Sequence, residues 1–277
     1  MSPELSSVAN IIEQDIRDAL ARSTRQPIVI GLCGAQGSGK STAAGQVGAA
    51  LAAEGIRVVV LSLDDFYLTA AERRVLGEEV HRLLRTRGVP GTHDVAPATT
   101  MLDQLRSGES VRLPSFDKAR DDRAPSDRWR TAPPGVQIIL FEGWCVGARA
   151  QSEAALAMPV NALEAEQDRS GSWRRFVNDQ LAGPYQSLFA RLDRLILLRA
   201  PGFEVVRAWR TEQEEDLRRA AGNGPRAGMS NAEIETFIQH YERLTRHILE
   251  EMPARADLTI GLDENRCVID VTLAPMA

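Results

Sequence analysis

The sequence predicts an α/β domain in three layers, with helices on both sides of a mainly parallel sheet, and three observations carry that reading. Short runs rich in Val, Ile and Leu alternate with longer helical patterns along the 277-residue chain, the succession that βαβ units produce. The run I-V-I-G-L-C at 28–33 passes directly into G-A-Q-G-S-G-K-S at 34–41 and then into an alanine-rich helical stretch, so one strand runs through a glycine loop into a helix. No internal repeat, low-complexity tract or flexible linker divides the chain. Residues 1–277 are therefore expected to form a single domain, a size that supports one large core.

The elements follow in order. Leu5, Val8, Ala9, Ile12, Ile16, Ala19 and Leu20 recur at helical spacing, which predicts an amphipathic helix within the N-terminal 25 residues, read as a packing element. After the helix that follows the glycine loop, Gly55 supplies a stop and 56–63 reads as a second buried strand ending at Asp64-Asp65. From 66 to 135 the pattern weakens into an insert. A helical stretch near 70–86 is followed by Gly88, Pro90, Gly91 and Pro97, a helix around 97–107, and a polar segment dense in Asp and Arg. The run 136–141, between Pro133-Pro134-Gly135 and Glu142-Gly143, predicts a central parallel strand. Residues 152–190 read as mostly helical, 192–199 as a strand stopped at Pro201-Gly202, and 203–220 as a charged helix broken at 222–225. Ser230 with Glu233 forms a capping box for a helix over 231–251. A last strand lies near 257–261, and 268–273 reads as an edge strand.

Net charge is −5, which argues against a surface devoted to nucleic acid. The start M-S-P-E has no basic and apolar leader pattern, and no run of about 18 apolar residues occurs, so a cytoplasmic protein without a membrane partner is expected. Cys33, Cys145 and Cys267 lack metal-ligand spacing and read as reduced, mostly buried residues. Cys33, beside the glycine loop, keeps a redox-sensitive reading as the alternative. The oligomeric state leaves no trace in the sequence.

The stretch Gly34, Ala35, Gln36, Gly37, Ser38, Gly39, Lys40, Ser41 fits G-x-x-x-x-G-K-[ST]. Glycines let the backbone turn its N–H groups inward, and the helix N-terminus starting near Thr42 adds partial positive charge, so the loop suits the terminal phosphates of a nucleotide. Lys40 would reach the β and γ phosphates and Ser41 would offer a hydroxyl to Mg2+. ATP and Mg2+ are the expected cofactors. The loop alone leaves the acceptor open.

Ligands in open α/β sheets gather at the carboxyl ends of the strands, and two other predicted strand ends carry Asp64 and Glu142. A kinase acting on an alcohol needs one carboxylate near the acceptor hydroxyl and another near the metal. The competing reading is that each carboxylate caps a following helix. Arg207 and Arg210, spaced i and i+3 on the charged helix, would share a face and stabilise the transferring phosphoryl group if 203–230 closes as a lid. A solvated helix with Glu212, Glu214, Glu215 and Asp216 as local partners is the alternative. Lys118, Arg120 and Arg123 form a second cationic cluster, for which a solvated loop is the alternative.

Taken together, the glycine loop, S-L-D-D-F-Y at 62–67, L-P-S-F-D-K at 113–118 with Arg123, and L-F-E-G-W at 140–144 resemble the P-loop kinases that include uridine kinase, phosphoribulokinase and bacterial pantothenate kinase. Further segments resemble the D-glycerate 3-kinase family of plant and fungal type. They are R-T-R-G-V-P-G-T-H-D at 85–94, V-N-D-Q-L at 177–181, A-W-R-T-E-Q-E at 208–214, G-M-S at 228–230, and the end region from Phe237-Ile238 through Tyr241 to Asp263-Glu264-Asn265-Arg266. The resemblance implies a P-loop NTPase fold of the small-molecule kinase type, with an acceptor-site insert and a helical lid. It implies Asp64 as catalytic base, Glu142 as magnesium-site acid, Tyr67 as an acceptor-site residue, and Arg207 and Arg210 on the lid. His93, Asp94 and Arg123 fall on segments that line the acceptor pocket in the wider group. The implied activity is ATP-dependent phosphorylation of a small-molecule hydroxyl, foremost D-glycerate to 3-phosphoglycerate, with Arg123 or His93 receiving the substrate carboxylate. Aromatic residues are only 5% of the chain, which weighs against a stacked nucleoside; pantothenate, a sugar derivative or a partner-dependent regulatory ATPase remain alternatives.

Overall fold

The computed structural model describes residues 7–221 and 229–274. In chain order the elements are α1 (Val8–Arg22), β1 (Ile28–Gly34), α2 (Lys40–Ala53), β2 (Val58–Ser62), α3 (Ala70–Glu79), α4 (Val95–Arg106), β3 (Val111–Leu113), β4 (Phe116–Asp117), β5 (Asp122–Arg123), β6 (Arg130–Ala132), β7 (Ile138–Gly143), α5 (Ala162–Gln167), α6 (Ser172–Gln180), α7 (Gln186–Phe189), β8 (Arg194–Arg199), α8 (Glu204–Ala221), α9 (Asn231–Glu251), β9 (Leu258–Leu262) and β10 (Val268–Leu273). The expected capping box holds: Ser230 Oγ accepts from Glu233 N and the Glu233 carboxylate accepts from Ser230 N. The break expected at 222–225 lies outside the described residues.

The main sheet has the order β10-β9-β8-β1-β7-β2, with all neighbours parallel except β10 against β9. Residues 263–267 are too few for a crossover connection, so β10 returns as a hairpin. Along β1 the side chains alternate: Ile28, Ile30 and Leu32 join the core with α1 and α2, whereas Val29 and Cys33 join the core with α4, α7 and α9. That period of two, buried on both faces, is what fixes the three layers.

Three local expectations change. The strand expected over 56–63 stops at Ser62, whose hydroxyl accepts from Asp64 N at 3.3 Å and starts a tight 3-10 turn over Leu63–Phe66. The helix expected over 70–86 is α3 followed by a short turn capped by His81. The polar segment beyond 107 pairs into two small hairpins, β3 with β6 and β4 with β5. Cys267 is exposed on the β9–β10 hairpin, whereas Cys33 and Cys145 are buried. Burial pushes the Cys33 thiol up to about 12, so it lacks the thiolate character of a redox sensor. Among the described residues no helix is long and apolar enough to cross a membrane.

Helix α9 is tied to α5 by a buried, two-pronged ion pair. Arg243 Nε reaches Glu164 Oε1 at 2.7 Å and Nη2 reaches Oε2 at 2.6 Å, while the guanidinium also donates to the carbonyls of Ala155 and Met158. Replacing Arg243 with Met leaves a fully buried carboxylate unpaired, and we expect a loss of about 3–5 kcal/mol in urea unfolding. A second change, Glu164→Leu, should recover most of it; a single-variant loss below about 1 kcal/mol would show that the pair does not stabilise this corner.

Candidate active site

Strand order decides the geometry. Because β7 lies between β1 and β2, Glu142 sits opposite Leu32 on one side and Ser62 on the other, so the glycine loop, Glu142 and Asp64 emerge together at the carboxyl end of the sheet. Gly34 ends β1, and Gly37 and Gly39 take φ of 76° and 85°, conformations that suit glycine. Gly39 caps α2, whose first residues are Lys40, Ser41 and Thr42. The loop is lined for a polar ligand: both side-chain atoms of Gln36, and Ser38 Oγ, are buried with no protein partner. A cleft of about 460 Å³ beside it is bounded by residues 37–43, Gln46, Glu212, Gln213, Arg266 and the start of α1, Ser7 to Ala9. Helix α1 is thus a wall of the donor site as well as a packing element.

The loop is clasped from outside. A Cβ on Gly37 would lie 2.5 Å from Trp209 Cβ, so only glycine admits the close approach of α8. Arg266 Nε donates to the Gly37 carbonyl at 2.6 Å, the same guanidinium pairs with Glu212 and lies over the Trp209 ring, and Trp209 Nε1 donates to the Glu264 carbonyl at 2.7 Å. The segments A-W-R-T-E-Q-E and D-E-N-R therefore act together on the donor loop. Sequence reasoning singled out both segments without giving Arg266 or Trp209 a role.

Ser41 Oγ donates to Glu142 Oε1 at 2.9 Å, and Glu142 Oε2 is buried without a partner. A hydroxyl beside a carboxylate with an unused oxygen is a hard-oxygen donor pair that fits Mg2+ completed by water and phosphate. Among the described residues there is no group of three or more His, Cys, Asp or Glu placed to hold a metal.

On the acceptor side, Asp64 is bonded at both oxygens: Tyr67 Oη donates to Oδ1 at 2.9 Å and Lys118 Nζ to Oδ2 at 2.7 Å. Burial alone would raise its pKa, but the charges of Lys118 and Lys40 overcome this and hold the carboxyl well below the usual range. The neighbouring Asp65 behaves oppositely. Burial, reinforced by repulsion from Asp64 and Glu142, pushes it up to about 6 despite the Phe116 N–H that it accepts. Asp65 thus anchors the Phe116 loop, whereas Asp64 faces the site with its charge intact.

The segment 85–94 is held above this pair. Gly88 has a φ of 134°, and a side chain there would collide with the Tyr241 ring; Tyr241 Oη donates to the Arg87 carbonyl at 2.9 Å and Trp144 Nε1 to the Gly88 carbonyl at 2.8 Å. His93 stacks on Tyr67 with ring centroids 4.4 Å apart, and its Nδ1 lies 2.6 Å from Tyr185 Oη, which also accepts from Gly91 N. With Gly91 N–H already on Tyr185 Oη, the phenol hydrogen has Nδ1 as its acceptor in the neutral tautomer that carries its N–H at Nε2. That Nε2 is buried and unpartnered. Burial pushes the imidazole down to about 4, against the pull of Asp64. Burial therefore favours a neutral His93 ring in this position, which the sequence offered alongside Arg123 for a substrate carboxylate.

This shift sets a stability slope. Between pH 6.5 and about 4 the unfolded chain binds the His93 proton and the folded chain does not, so the stabilisation is full above 6.5 and is lost as pH falls, by about 3 kcal/mol. Asp65 acts with the opposite sign between 3.8 and about 6. We expect the stability of wild type relative to His93→Gln in urea unfolding to fall by that amount as pH drops through this window, since Asp65 cancels in the difference. Parallel curves would show that His93 ionises freely.

The remaining predicted residues separate. Arg123 is engaged, donating to Asp94 Oδ2 at 2.8 Å and to the Tyr67 carbonyl at 3.1 Å, so it and Asp94 brace Tyr67. Arg207 is 62% exposed and pairs with Glu235 of α9 at 2.5 Å. Arg210 instead turns inward onto the Phe237 ring, bonded to Gln213 and Glu214, with its Nε buried and unpartnered. The two arginines do not share one environment. Of the cationic cluster read from the sequence, Lys118 is the member that reaches Asp64; Arg87 is a cation here that the sequence did not single out. Arg87 pairs with Asp121 and lies over Phe116.

Comparison with known proteins agrees with this geometry. A family profile described as "Methylmalonyl Co-A mutase-associated GTPase MeaB" matches residues 6–85, the stretch from α1 through the donor loop to the start of the insert. The chain is 32% identical over 95% of its length to "Uncharacterized kinase mug58" of Schizosaccharomyces pombe, covering 98% of that protein. It is 28% identical over 87% of its length to "D-glycerate 3-kinase, chloroplastic" of Arabidopsis thaliana, of which it spans 53%. The solved D-glycerate 3-kinase of Cryptococcus neoformans var. grubii has the same fold, with a TM-score of 0.81 over 98% of this chain and 100% of that one at 23% identity. The P-loop, the carboxylates at adjoining strand ends and the 32% identity to the fission yeast kinase over nearly the whole of both chains carry one conclusion: the chain is an ATP-dependent small-molecule kinase and belongs to the D-glycerate 3-kinase family of P-loop kinases.

Proposed function

We propose that the chain transfers the γ-phosphoryl group of ATP to the primary hydroxyl of D-glycerate, giving 3-phosphoglycerate and ADP. The observation that carries this is the Asp64 carboxylate held between Tyr67 Oη and Lys118 Nζ, a charged position at a strand end next to the donor loop; the likeness to the Arabidopsis D-glycerate 3-kinase supports the choice of acceptor. The backbone N–H groups of the donor loop and Lys40 bind the β and γ phosphates. Asp64 orients the hydroxyl and takes its proton as the oxygen bonds to the γ phosphorus and the bond to the β-phosphate oxygen breaks. Mg2+ held near Ser41 and Glu142 would neutralise phosphate charge. Tyr67, held in place by Arg123, Asp94 and His93, fixes the direction of the Asp64 carboxylate. Arg210, on the inner side of α8, is the lid arginine that this reading favours; Arg207 is left to surface pairing with α9. ADP release measured with ATP and D-glycerate, uridine, pantothenate or ribulose 5-phosphate tests it. Turnover with D-glycerate well above the others is expected, and preference for any other acceptor overturns it.

A further inference from the structure

We infer that Lys118 binds the carboxylate of the acceptor, and that the acceptor takes its place by exchanging with the Asp64–Lys118 ion pair. The inference rests on Asp64 receiving the acceptor hydroxyl. Each Asp64 oxygen already accepts one hydrogen bond; either could share a second, but a hydroxyl arriving from the exposed side meets the Lys118 ammonium, and of the two partners only that one is free to move. Tyr67 does not yield: it is 4% exposed, stacked on His93 and edge-on to Phe116, with its carbonyl held by Arg123. Lys118 can, because its side chain is 61% exposed and stands on a flexible four-carbon stem just past β4.

Removing an ammonium from a carboxylate leaves two charges to satisfy. An acceptor that carries a hydroxyl and a carboxylate a few ångströms apart satisfies both, giving the hydroxyl to Asp64 and the carboxylate to Lys118. A neutral polyol or a nucleoside leaves Lys118 without a counter-charge. The other cations around the mouth already have partners that the reaction does not need to release. Arg123 is on Asp94, Arg87 and the buried Arg73 are on Asp121, and Arg120 lies 3.9 Å from Asp117. His93 is neutral and contributes only its Nε2–H. The ion pair thus has the polarity of a hydroxy acid in reverse, and the acceptor class that fits is a small hydroxycarboxylate.

Steady-state kinetics of wild type, Lys118→Met and Lys118→Arg with D-glycerate and with glycerol as acceptors test this. We expect Lys118→Met to raise KM for D-glycerate by about 10- to 100-fold, the size of a lost charge-assisted hydrogen bond. The KM for ATP should be unchanged, and the preference for D-glycerate over glycerol in kcat/KM should fall by a similar factor. Lys118→Arg should restore most of that preference. A variant whose kcat falls while KM for D-glycerate and the preference over glycerol stay native overturns the inference, since Lys118 would then act only on Asp64. Wild type that prefers an uncharged acceptor such as uridine overturns both this inference and the choice of D-glycerate. Native behaviour of Lys118→Met in an enzyme that does phosphorylate D-glycerate overturns this inference alone.

Discussion

Asp64→Asn is expected to lower kcat by about 10²–10⁴-fold, the contribution of a positioned general base, while leaving KM for ATP within about twofold. The size follows from what the carboxylate does in this site. Its charge is kept by Lys118 and Lys40 in spite of burial, so it is ionised throughout the working range and never has to be deprotonated before the hydroxyl arrives. An amide of the same shape keeps one acceptor oxygen but loses the negative charge, and presents an N–H where Lys118 now donates. The donor loop is untouched. Phosphoryl transfer through a loose transition state asks more for orientation of the nucleophile than for a strong base, which is why an acid held below its usual pKa can still serve. Single-turnover rates at saturating ATP, with nucleotide binding measured separately, decide the matter: a near-native rate would remove Asp64 from the reaction.

Lys40→Met should cost about 10²–10³-fold in kcat, the effect of removing one preorganised charge from a developing anion. Lys40 lies at the first turn of α2 immediately after the Gly39 cap, and among the described residues it has no hydrogen-bond partner to release on binding phosphate. Its charge acts on Asp64 as well, so the variant should also weaken the hold on that carboxylate. Because no protein hydrogen bond is lost, the thermal midpoint should move little; a large loss of stability without loss of turnover would show that Lys40 serves the fold and not the phosphates.

Much of the donor half was legible because it is local. A strand, eight residues of loop and a helix are contiguous, and the glycines, Lys40 and Ser41 declare their chemistry by spacing alone. The capping box at Ser230 and the helix it starts were legible for the same reason. The acceptor half was legible as segments but not as contacts. The sequence placed Lys118 in a cationic cluster, with a solvated loop as the alternative, and gave it no partner; in the structure it meets Asp64, 54 residues earlier in sequence. Nothing in either segment encodes that pairing. It exists because the Phe116 N–H bonds to Asp65 and so brings the hairpin over the end of β2.

The arginines of α8 show the same limit from another side. A spacing of i and i+3 sets two side chains about 60° apart on a helix of 3.6 residues per turn, close enough to suggest a common face. On a helix packed against both the donor loop and α9, that difference places Arg207 in solvent and Arg210 in the interface. His93 likewise was singled out by the sequence, but its ionisation was not legible, since it depends on burial that no local pattern reveals and its Nδ1 partner Tyr185 lies 92 residues away.

The sequence by itself determined the layer architecture, the glycine loop, the carboxylates that close the strands and the capping box of α9, because each of these is a short-range match between residue type and backbone. Only the tertiary structure decided that β7 lies between β1 and β2, that Lys118 neutralises Asp64, that His93 is uncharged and that Arg266 and Trp209 clasp Gly37. These depend on charges and rings meeting across long stretches of chain, and burial then sets their electrostatics through the loss of water rather than through sequence neighbours.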